Sequence, residues 1–327
     1  HSDLSIINGD RLRVMPMVLG HEAAGIVEEC GPGVTDLQRG DSVALVFVPS
    51  CGHCVPCMEG RPALCEPGAA ANGAGTLLGG DRRLHRSDGS LLNHQVGVSC
   101  FAEYAVVSRG TLVKVDPELP ADVAAVFGCA VLTGVGAVIN SARVPLGATV
   151  AVIGLGGVGL AALLGAHAAG ARQIVAIDRL DDKLERAFAL GATHVFNADD
   201  PDLVAQVRAA THGGVEYDIE AASSVDALEV AYRITRRGGT TVTCSLPHPD
   251  HRFALQAVNL VAEERTIKGC YLGSAVPARD IPHYIALYHA GKLPVDKLIT
   301  SRISLDEINA GFDRLAAGEA VRQVIVF

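Results

Sequence analysis

Four cysteines lie within fifteen residues of this chain, in the pattern C-x2-C-x2-C-x7-C. They are Cys51, Cys54, Cys57 and Cys65. Thiolates so close in sequence can converge tetrahedrally on Zn²⁺ with no other protein ligand, and such a closed site is structural because no position stays open for substrate. A reduced metal-free cluster, an iron–sulfur site and reactive thiols are the alternatives, and zinc is favoured. We expect His53, inside the pattern, to be a surface residue.

A second pattern, G-x-G-x-x-G, occupies residues 154–159 and follows the apolar run Val150–Ile153. An Ala-rich segment, Gly157–Ala169, comes next, and then a second apolar run that ends in Asp178. A strand, a glycine turn, a helix and a distal acid form the context that a dinucleotide-binding turn requires. We therefore predict that the turn binds a pyrophosphate through its backbone amides and the helix dipole. The residues in question are Gly154, Gly156, Gly157, Val158 and Gly159.

Asp178 follows Gly159 at the distance where a carboxylate accepts hydrogen bonds from the adenosine ribose hydroxyls. It would repel a 2′-phosphate, so we expect NAD rather than NADP. Arg179 weakens this preference slightly because an arginine can bind that phosphate. The alternative is a tight strand–helix turn that binds no cofactor.

Two further residues have metal-binding side chains but little local context. His21, in Gly20-His21-Glu22, would ordinarily be a packed histidine, and Cys129 a small core residue. By themselves they indicate no site.

The elements that must position these residues fall into three stretches. Up to about Val115 the apolar segments are short and separated by Gly and Pro, which predicts antiparallel strands within GIVEEC, DSVALVFVP, EYAVVS and TLVKV. From about Ala121 to Tyr271 strands alternate with helices, which predicts a parallel sheet covered by helices. The tail predicts helices at Pro277–His289 and around Leu305–Leu315, and a terminal strand at Val321–Val326.

Composition excludes several classes of protein. The chain has 327 residues, a formal charge of −9 and no Lys/Arg cluster, which argues against a nucleic-acid surface. No apolar run reaches the roughly 18 residues of a membrane span. The first residues show no secretory signal, and nine cysteines without an export signal favour metal-bound thiolates over disulfides. We expect a cytoplasmic protein.

Taken together, these patterns resemble those of the zinc-containing medium-chain alcohol dehydrogenases. The similarity spans essentially the whole chain and includes LGHEAAGIVE, the four-cysteine pattern, GC-x3-TG-x-GA, the GLGGVG turn with its acid, and VRQVIV. It implies an α/β protein with a GroES-like, mostly β catalytic domain and a doubly wound Rossmann domain. We expect the catalytic domain at 1–128 and 272–327, with a structural zinc lobe at about 50–66, and the NAD-binding domain at 129–271.

The resemblance implies a catalytic zinc bound by His21, Cys129 and a third cysteine just before the His-Ser-Asp segment. The printed sequence begins with that segment, at His1, so we expect the chain to lack that cysteine and the family's N-terminal strands. A site with two ligands would hold zinc weakly unless Glu22 or waters completed the coordination.

Other roles follow from the resemblance residue by residue. Ser2 would relay the alcohol proton, although Ser5 stands where some members end this relay with a histidine. Asp3 and Glu22 would orient the metal site. The cofactor would contact His1 and Arg322 at its pyrophosphate, Lys183 at the adenosine ribose and Thr133 beside the nicotinamide. Phe47, Val96 and Leu246 would line an apolar substrate pocket.

The implied activity is oxidation of a primary or secondary alcohol to an aldehyde or ketone with NAD, or the reverse. One alternative is a formaldehyde dehydrogenase acting on a glutathione or mycothiol adduct, although the uncharged Pro67-Gly68-Ala69-Ala70-Ala71 argues against glutathione. A non-catalytic, zinc-stabilised binding scaffold is the alternative of another class. We expect a homodimer that pairs through the segment Arg265–Tyr271.

Overall fold

The structure is a computed structural model that describes residues 2–327, so His1 and its predicted contact with the cofactor lie outside the described residues. Fourteen strands occur within that range. They are β1 (Met17–Val18), β2 (Ala23–Ile26), β3 (Ser42–Leu45), β4 (Leu84–His85), β5 (Leu91–His94), β6 (Leu112–Lys114), β7 (Thr149–Ile153), β8 (Gln173–Asp178), β9 (His194–Asn197), β10 (Val215–Glu220), β11 (Thr235–Thr243), β12 (Thr266–Gly269), β13 (Ile299–Ile303) and β14 (Arg322–Ile325).

Twelve α-helices connect or follow these strands within the same range. They are α1 (Ser2–Ile7), α2 (Val55–Met58), α3 (Glu66–Ala74), α4 (Ala121–Ala125), α5 (Ala130–Gly136), α6 (Gly157–Ala168), α7 (Asp181–Ala189), α8 (Leu203–Ala210), α9 (Val225–Ile234), α10 (Ala257–Ala262), α11 (Pro277–His289) and α12 (Ile308–Ala316). A π-helical segment, Ala137–Ala142, continues α5, and short 3₁₀ turns include Val126–Gly128 and Leu305–Glu307.

The chain divides into two compact units. The first contains the chain up to Leu132 together with Ala275–Tyr288 and Val295–Phe327. The second contains Thr133–Ser274 and His289–Pro294. The predicted domain boundaries stay a prediction.

The first unit contains three small sheets, with strand orders β2-β3-β6, β1-β5-β4 and β13-β14. The β2-β3-β6 sheet is antiparallel and packs its apolar face into a core that includes Val43, Leu45 and Val98. The predicted strand within EYAVVS is wrong, because residues 103–108 join no ladder in the described chain. Local preference alone does not make a strand without a partner, and Tyr104 and Val106 are exposed there.

The second unit is a six-stranded, fully parallel sheet in the order β12-β11-β10-β7-β8-β9. This is the doubly wound order, so the predicted Rossmann sheet is confirmed. Its central strand β7 is entirely buried, as continuous apolar strands are when helices cover both faces of a sheet. The strand order reverses at β7, because β10 pairs with one side of β7 and β8 with the other. In open α/β sheets, ligands bind at the carboxyl ends of the strands at such a point.

No single helix among residues 2–327 is long and apolar enough to cross a membrane. One pair of helical segments, Ala121–Gly128 and Ala130–Ala142, is together long and apolar enough, but a bend of 53° separates the two segments.

Candidate active site

In the first unit, the structure brings Cys129 close to two neighbouring potential metal ligands, His21 and Glu22, that lie more than a hundred residues earlier in the sequence. The imidazole of His21, the carboxylate of Glu22 and the thiol of Cys129 each offer one ligand atom, and these atoms lie within 4.8 Å of one another. His21 and Glu22 directly precede β2, and Cys129 lies between the turn Val126–Gly128 and α5. A nitrogen, a sulfur and an oxygen at this spacing form a donor set that suits zinc.

Asp3 fixes the orientation of the His21 ring. Its carboxylate oxygens lie 2.9 Å and 3.1 Å from Nδ1 of His21, and the backbone N–H of Gly20 donates to the same carboxylate. Gly20 has φ +102°, and a Cβ there would lie 2.5 Å from the backbone nitrogen of Phe101. The close packing of these two backbone segments therefore requires glycine at position 20. A carboxylate that holds one ring nitrogen leaves the other nitrogen available to a metal.

The electrostatics of this pair follow from burial and attraction. Burial lowers the pKa of His21, but the Asp3 carboxylate outweighs it and the pKa lies well above its usual value. For Asp3, burial raises the pKa and His21 outweighs it, so that the pKa is lowered. A metal ion on Nε2, the ring nitrogen that Asp3 does not contact, would replace a proton there while Asp3 kept its hydrogen bond to Nδ1.

Glu22 lies on the other side of the ring. Its Oε1 is 3.6 Å from Nε2 of His21 and 3.5 Å from the guanidinium of Arg322. Arg322 was expected at the cofactor pyrophosphate, and its contact with Glu22 was not predicted, because 300 residues separate the two. Burial, followed by the Glu22 carboxylate, raises the pKa of the Cys129 thiol. A cation at this point would stabilise the thiolate that metal binding needs.

Two of the three predicted pocket residues belong to this unit. The ring of Phe47 meets the imidazole of His21 edge to face, with centroids 6.1 Å apart. Val96 is half-buried and adopts φ +45°, an unusual conformation for a branched side chain. Leu246 belongs to the second unit and is 52% exposed.

The residue that precedes Val96 was not singled out by sequence reasoning. Gln95 is buried, and its side chain hydrogen-bonds to Asp3. No spacing signal marks it, because the contact joins residues about ninety positions apart. Ser2, the predicted proton relay, lies at the exposed first position of α1, next to Asp3.

The four cysteines of the C-x2-C-x2-C-x7-C pattern form a second group, whose sulfurs all lie within 4.8 Å of one another. The sulfurs of Cys54 and Cys65 are 3.9 Å apart. Two sulfurs on a tetrahedral zinc with bonds of about 2.3 Å are expected about 3.8 Å apart, so the group fits zinc. His53 is exposed and hydrogen-bonds to the backbone oxygen of Cys51.

The pKa values of two thiols in this group are shifted in opposite directions. The backbone N–H of His53, more than any other contact, lowers the pKa of Cys51 to about 6. Burial raises the pKa of Cys57 to about 12. Neighbouring thiolates repel one another, and a divalent cation among them would remove that repulsion.

In the second unit, the predicted phosphate turn joins β7 to α6. Gly154 has φ +86°, and a Cβ there would meet the backbone of Ala222 at 2.7 Å, so the turn needs glycine. A Cβ at Gly156 would meet nothing within 4 Å, which leaves open space beside the helix. Helix α6 starts with no side-chain cap, so its first amides are available to an anion. The turn therefore fits a pyrophosphate.

Asp178 ends β8 beside this turn. Its carboxylate accepts from the backbone N–H groups of Leu155 at 2.7 Å and Leu180 at 3.1 Å. The ammonium of Lys183 lies 3.9 Å away. Thr133, the other predicted cofactor contact in this unit, is buried in α5.

Comparison with known proteins agrees with this arrangement. Residues 1–117 match the family model for the alcohol dehydrogenase GroES-like domain, and residues 157–290 match the model for zinc-binding dehydrogenases. Alcohol dehydrogenase 1 of Oryza sativa subsp. indica is 39% identical over 315 residues, which are 95% of this chain and 83% of that protein. The chain belongs to the zinc-containing medium-chain alcohol dehydrogenase family.

Two further relatives widen the comparison. S-(hydroxymethyl)glutathione dehydrogenase of Paracoccus denitrificans is 35% identical over 336 residues, covering 100% of this chain and 89% of that one. The crystal structure of benzyl alcohol dehydrogenase from Acinetobacter calcoaceticus superposes with a TM-score of 0.92 and 34% identity, covering 99% of this chain and 88% of that chain.

The family settles the class of activity. The protein is an oxidoreductase of the alcohol dehydrogenase type that uses zinc and a nicotinamide cofactor, and its fold is a GroES-like domain with a Rossmann-like sheet. The predicted fold class, family, enzyme class and cofactor class are confirmed. The non-catalytic scaffold is set aside.

Proposed function

We propose that this enzyme oxidises a small alcohol with an apolar body to an aldehyde or ketone, or runs the reverse reaction, with NAD rather than NADP. The observation that carries the proposal is the arrangement around His21. Asp3 holds one ring nitrogen, while the other faces Glu22 and Cys129, and the ring of Phe47 packs against the imidazole. These residues form a metal-binding group with an aromatic ring packed beside it.

Each residue of the group has a distinct task. Zinc bound here supplies a Lewis acid that lowers the pKa of the substrate hydroxyl. Asp3 keeps a proton on Nδ1 of His21, so that Nε2 presents its lone pair to the metal. Arg322 balances the charge of Glu22, and Glu22 lies close enough to complete the ligand set of His21 and Cys129.

Ser2 is proposed as the group that accepts the substrate proton. Its position at the exposed start of α1, adjacent to Asp3, supports a route from the site to solvent. His1 and Arg322 remain proposed contacts of the cofactor pyrophosphate, and Thr133 a contact of the nicotinamide.

The preference for NAD rests on Asp178 and its neighbour. The nicotinamide cofactor supplies the hydride acceptor. The turn of Gly154, Gly156, Gly157, Val158 and Gly159 is proposed to hold its pyrophosphate. The Asp178 carboxylate is proposed to accept the adenosine ribose hydroxyls, with Lys183 close by. Arg179, the residue that could have favoured NADP, instead pairs with Asp199 at 3.0 Å.

The apolar substrate is inferred from Phe47, Val96 and Leu246. Benzyl alcohol dehydrogenase, named above, suggests an aromatic alcohol as the first compound to test. The rival is a thiol adduct of formaldehyde, as the name of the Paracoccus relative states for that protein. Helix α3 carries no basic residue with which to anchor the carboxylates of glutathione, which supports the alcohol.

The test measures NADH formation by zinc-loaded protein with ethanol, hexanol, benzyl alcohol, and formaldehyde with and without glutathione. We expect the highest kcat/KM with benzyl alcohol or hexanol. His21→Ala should abolish turnover and reduce the zinc content while the four-cysteine group keeps its ion. Activity confined to formaldehyde with glutathione would replace this proposal with the thiol-adduct enzyme, and full activity of His21→Ala would refute the ligand assignment.

We also propose a homodimer. Strand β12 is one of the two edge strands of the six-stranded sheet, and an edge strand is a template for pairing with a second copy. Helix α10, which precedes β12 in the chain, exposes Val258 and Val261 by 68% and 79%. We propose a cytoplasmic location as well. None of the nine cysteines forms a disulfide among the described residues, and clustered thiolates bind metal in compartments where thiols stay reduced.

A further inference from the structure

Glu220, the last residue of β10, is a buried acid that none of the predicted roles includes. Its side chain is 1% exposed and accepts four hydrogen bonds. One oxygen accepts from the backbone N–H groups of Ala222 at 2.6 Å and Ser223 at 3.1 Å. The other accepts from the hydroxyls of Thr243 and Ser245, both at 2.6 Å. Hydrogen bonds to an ionised acceptor are short and strong, which matches these distances.

These bonds join two segments at the carboxyl edge of the sheet. Ala222 and Ser223 form the loop that follows β10, while Thr243 ends β11 and Ser245 lies two residues beyond it. Ser223 has φ +58°, a conformation that is unfavourable for residues other than glycine. A loop held in such a conformation needs an external partner, and the Glu220 carboxylate supplies it.

The loop after β10 also packs directly against the phosphate turn. The N–H of Ala221 donates to the backbone oxygen of Ile153 at 2.8 Å, and Gly154 packs against Ala222 so closely that no Cβ fits. Glu220 therefore connects the end of β11 to the loop that supports the turn after β7. This connection lies at the point of the sheet where strand order reverses and dinucleotides bind.

The two halves of a dinucleotide extend to opposite sides of that point. Asp178, at the end of β8, marks the adenosine side. The loops after β10 and β11 lie on the other side of β7, which is the side of the nicotinamide mononucleotide half.

We propose that Glu220 is a positioning residue for the nicotinamide half of the cofactor: its carboxylate holds the loops after β10 and β11 in the conformation that receives this half. The inference rests on the proposed NAD site. It predicts that losing the carboxylate weakens the binding of the whole dinucleotide while a ligand confined to the adenosine half is unaffected.

The experiment compares NADH and AMP as ligands by isothermal titration calorimetry, with wild-type holoprotein and the variant Glu220→Gln. The amide keeps the size of the side chain, and the hydroxyls of Thr243 and Ser245 can rotate to accept from its NH₂ group, so the fold should survive. We expect NADH to bind about tenfold more weakly, from the loss of charge-assisted bonds, with AMP affinity unchanged. The KM for NAD should rise in the same proportion.

Milder variants keep the test valid if Glu220→Gln folds poorly. Thr243→Val and Ser245→Ala each remove one donor and should weaken NADH binding about threefold, again without affecting AMP. Asp218→Asn is the matched control, because Asp218 is a buried acid of the same strand that holds no loop. It should leave both affinities unchanged.

The outcomes separate the two levels of the inference. If the wild type binds both AMP and NADH and the Glu220→Gln variant binds them with the same affinities, the proposed role of Glu220 is overturned and the proposed NAD site stands. Equal loss of AMP and NADH affinity would show a general structural role instead. Failure of wild-type protein to bind NADH would remove the proposed NAD site itself.

Discussion

Asp218 provides a test of how burial controls stability in the second unit. Its side chain is fully buried in β10, and neither carboxylate oxygen has a hydrogen-bond partner among residues 2–327. Burial, reinforced by the carboxylate of Glu220, raises the pKa of Asp218 well above its usual value. The thiol of Cys244, whose pKa is raised mainly by burial, also interacts electrostatically with Asp218. The native state therefore keeps a proton that the unfolded chain loses near pH 4.

The sign of the pH dependence follows from this proton. Below about pH 4 the native and unfolded states both hold the proton, so Asp218 adds no pH dependence to the free energy of unfolding. Above that, the native state binds one more proton than the unfolded state, so stability falls as pH rises and stops falling only above the native pKa. The slope is about 1.4 kcal/mol for each pH unit in that window.

The Asp218→Asn variant cannot ionise and lacks this slope. We expect its free energy of unfolding to exceed that of the wild type increasingly as the pH rises from about 5 towards the native pKa of Asp218, with little difference near pH 4. Urea unfolding of the zinc-loaded protein, followed by circular dichroism at each pH, measures the difference. Asp250→Asn, an exposed acid of the same unit, is the control and should change nothing systematically with pH.

A parallel pair of stability curves would refute this reasoning. If wild type and Asp218→Asn differed by a constant amount between pH 5 and pH 8, Asp218 would be ionised in the native state and some polar partner would have to accept its charge. A wild type that gained stability with pH relative to the variant would show the opposite sign and would contradict the raised pKa directly.

The remaining predictions concern zinc, cofactor choice and assembly. Cys54→Ser should release the structural zinc and cause misfolding rather than slow turnover, because structural zinc contributes to folding; metal analysis and circular dichroism check this, and a folded, zinc-free variant would contradict it. Asp178→Gly should raise the KM for NAD about tenfold and narrow the preference over NADP, as steady-state kinetics with both cofactors will show; a wild type that favours NADP means the assignment is wrong. Val258→Asp combined with Val261→Asp should convert a dimer to a monomer by light scattering, and a wild-type tetramer would count against the proposed edge pairing.

The sequence by itself determined the features whose ligands are neighbours in the chain. Four cysteines within one short segment can surround a metal with little help from the rest of the fold, and the distances between them agree with that expectation. The phosphate turn was equally predictable, because Gly154 and Gly156 act through backbone conformation within a single strand–turn–helix unit. Strand–helix alternation predicted the parallel sheet for the same reason, since periodicity is local.

Only the tertiary structure decided which distant groups meet. His21 alone reads as a packed histidine, and it becomes a candidate ligand when Asp3 holds one ring nitrogen and Cys129, more than a hundred residues later, approaches the other. The strand expected within EYAVVS failed because a strand also needs a partner, which local pattern does not specify. Glu220 carries no sequence signal at all, since its role depends on the register that places Thr243 beside the end of β10. Hydrogen bonds between distant segments depend on how strands and helices are packed, and one-dimensional spacing does not encode that packing.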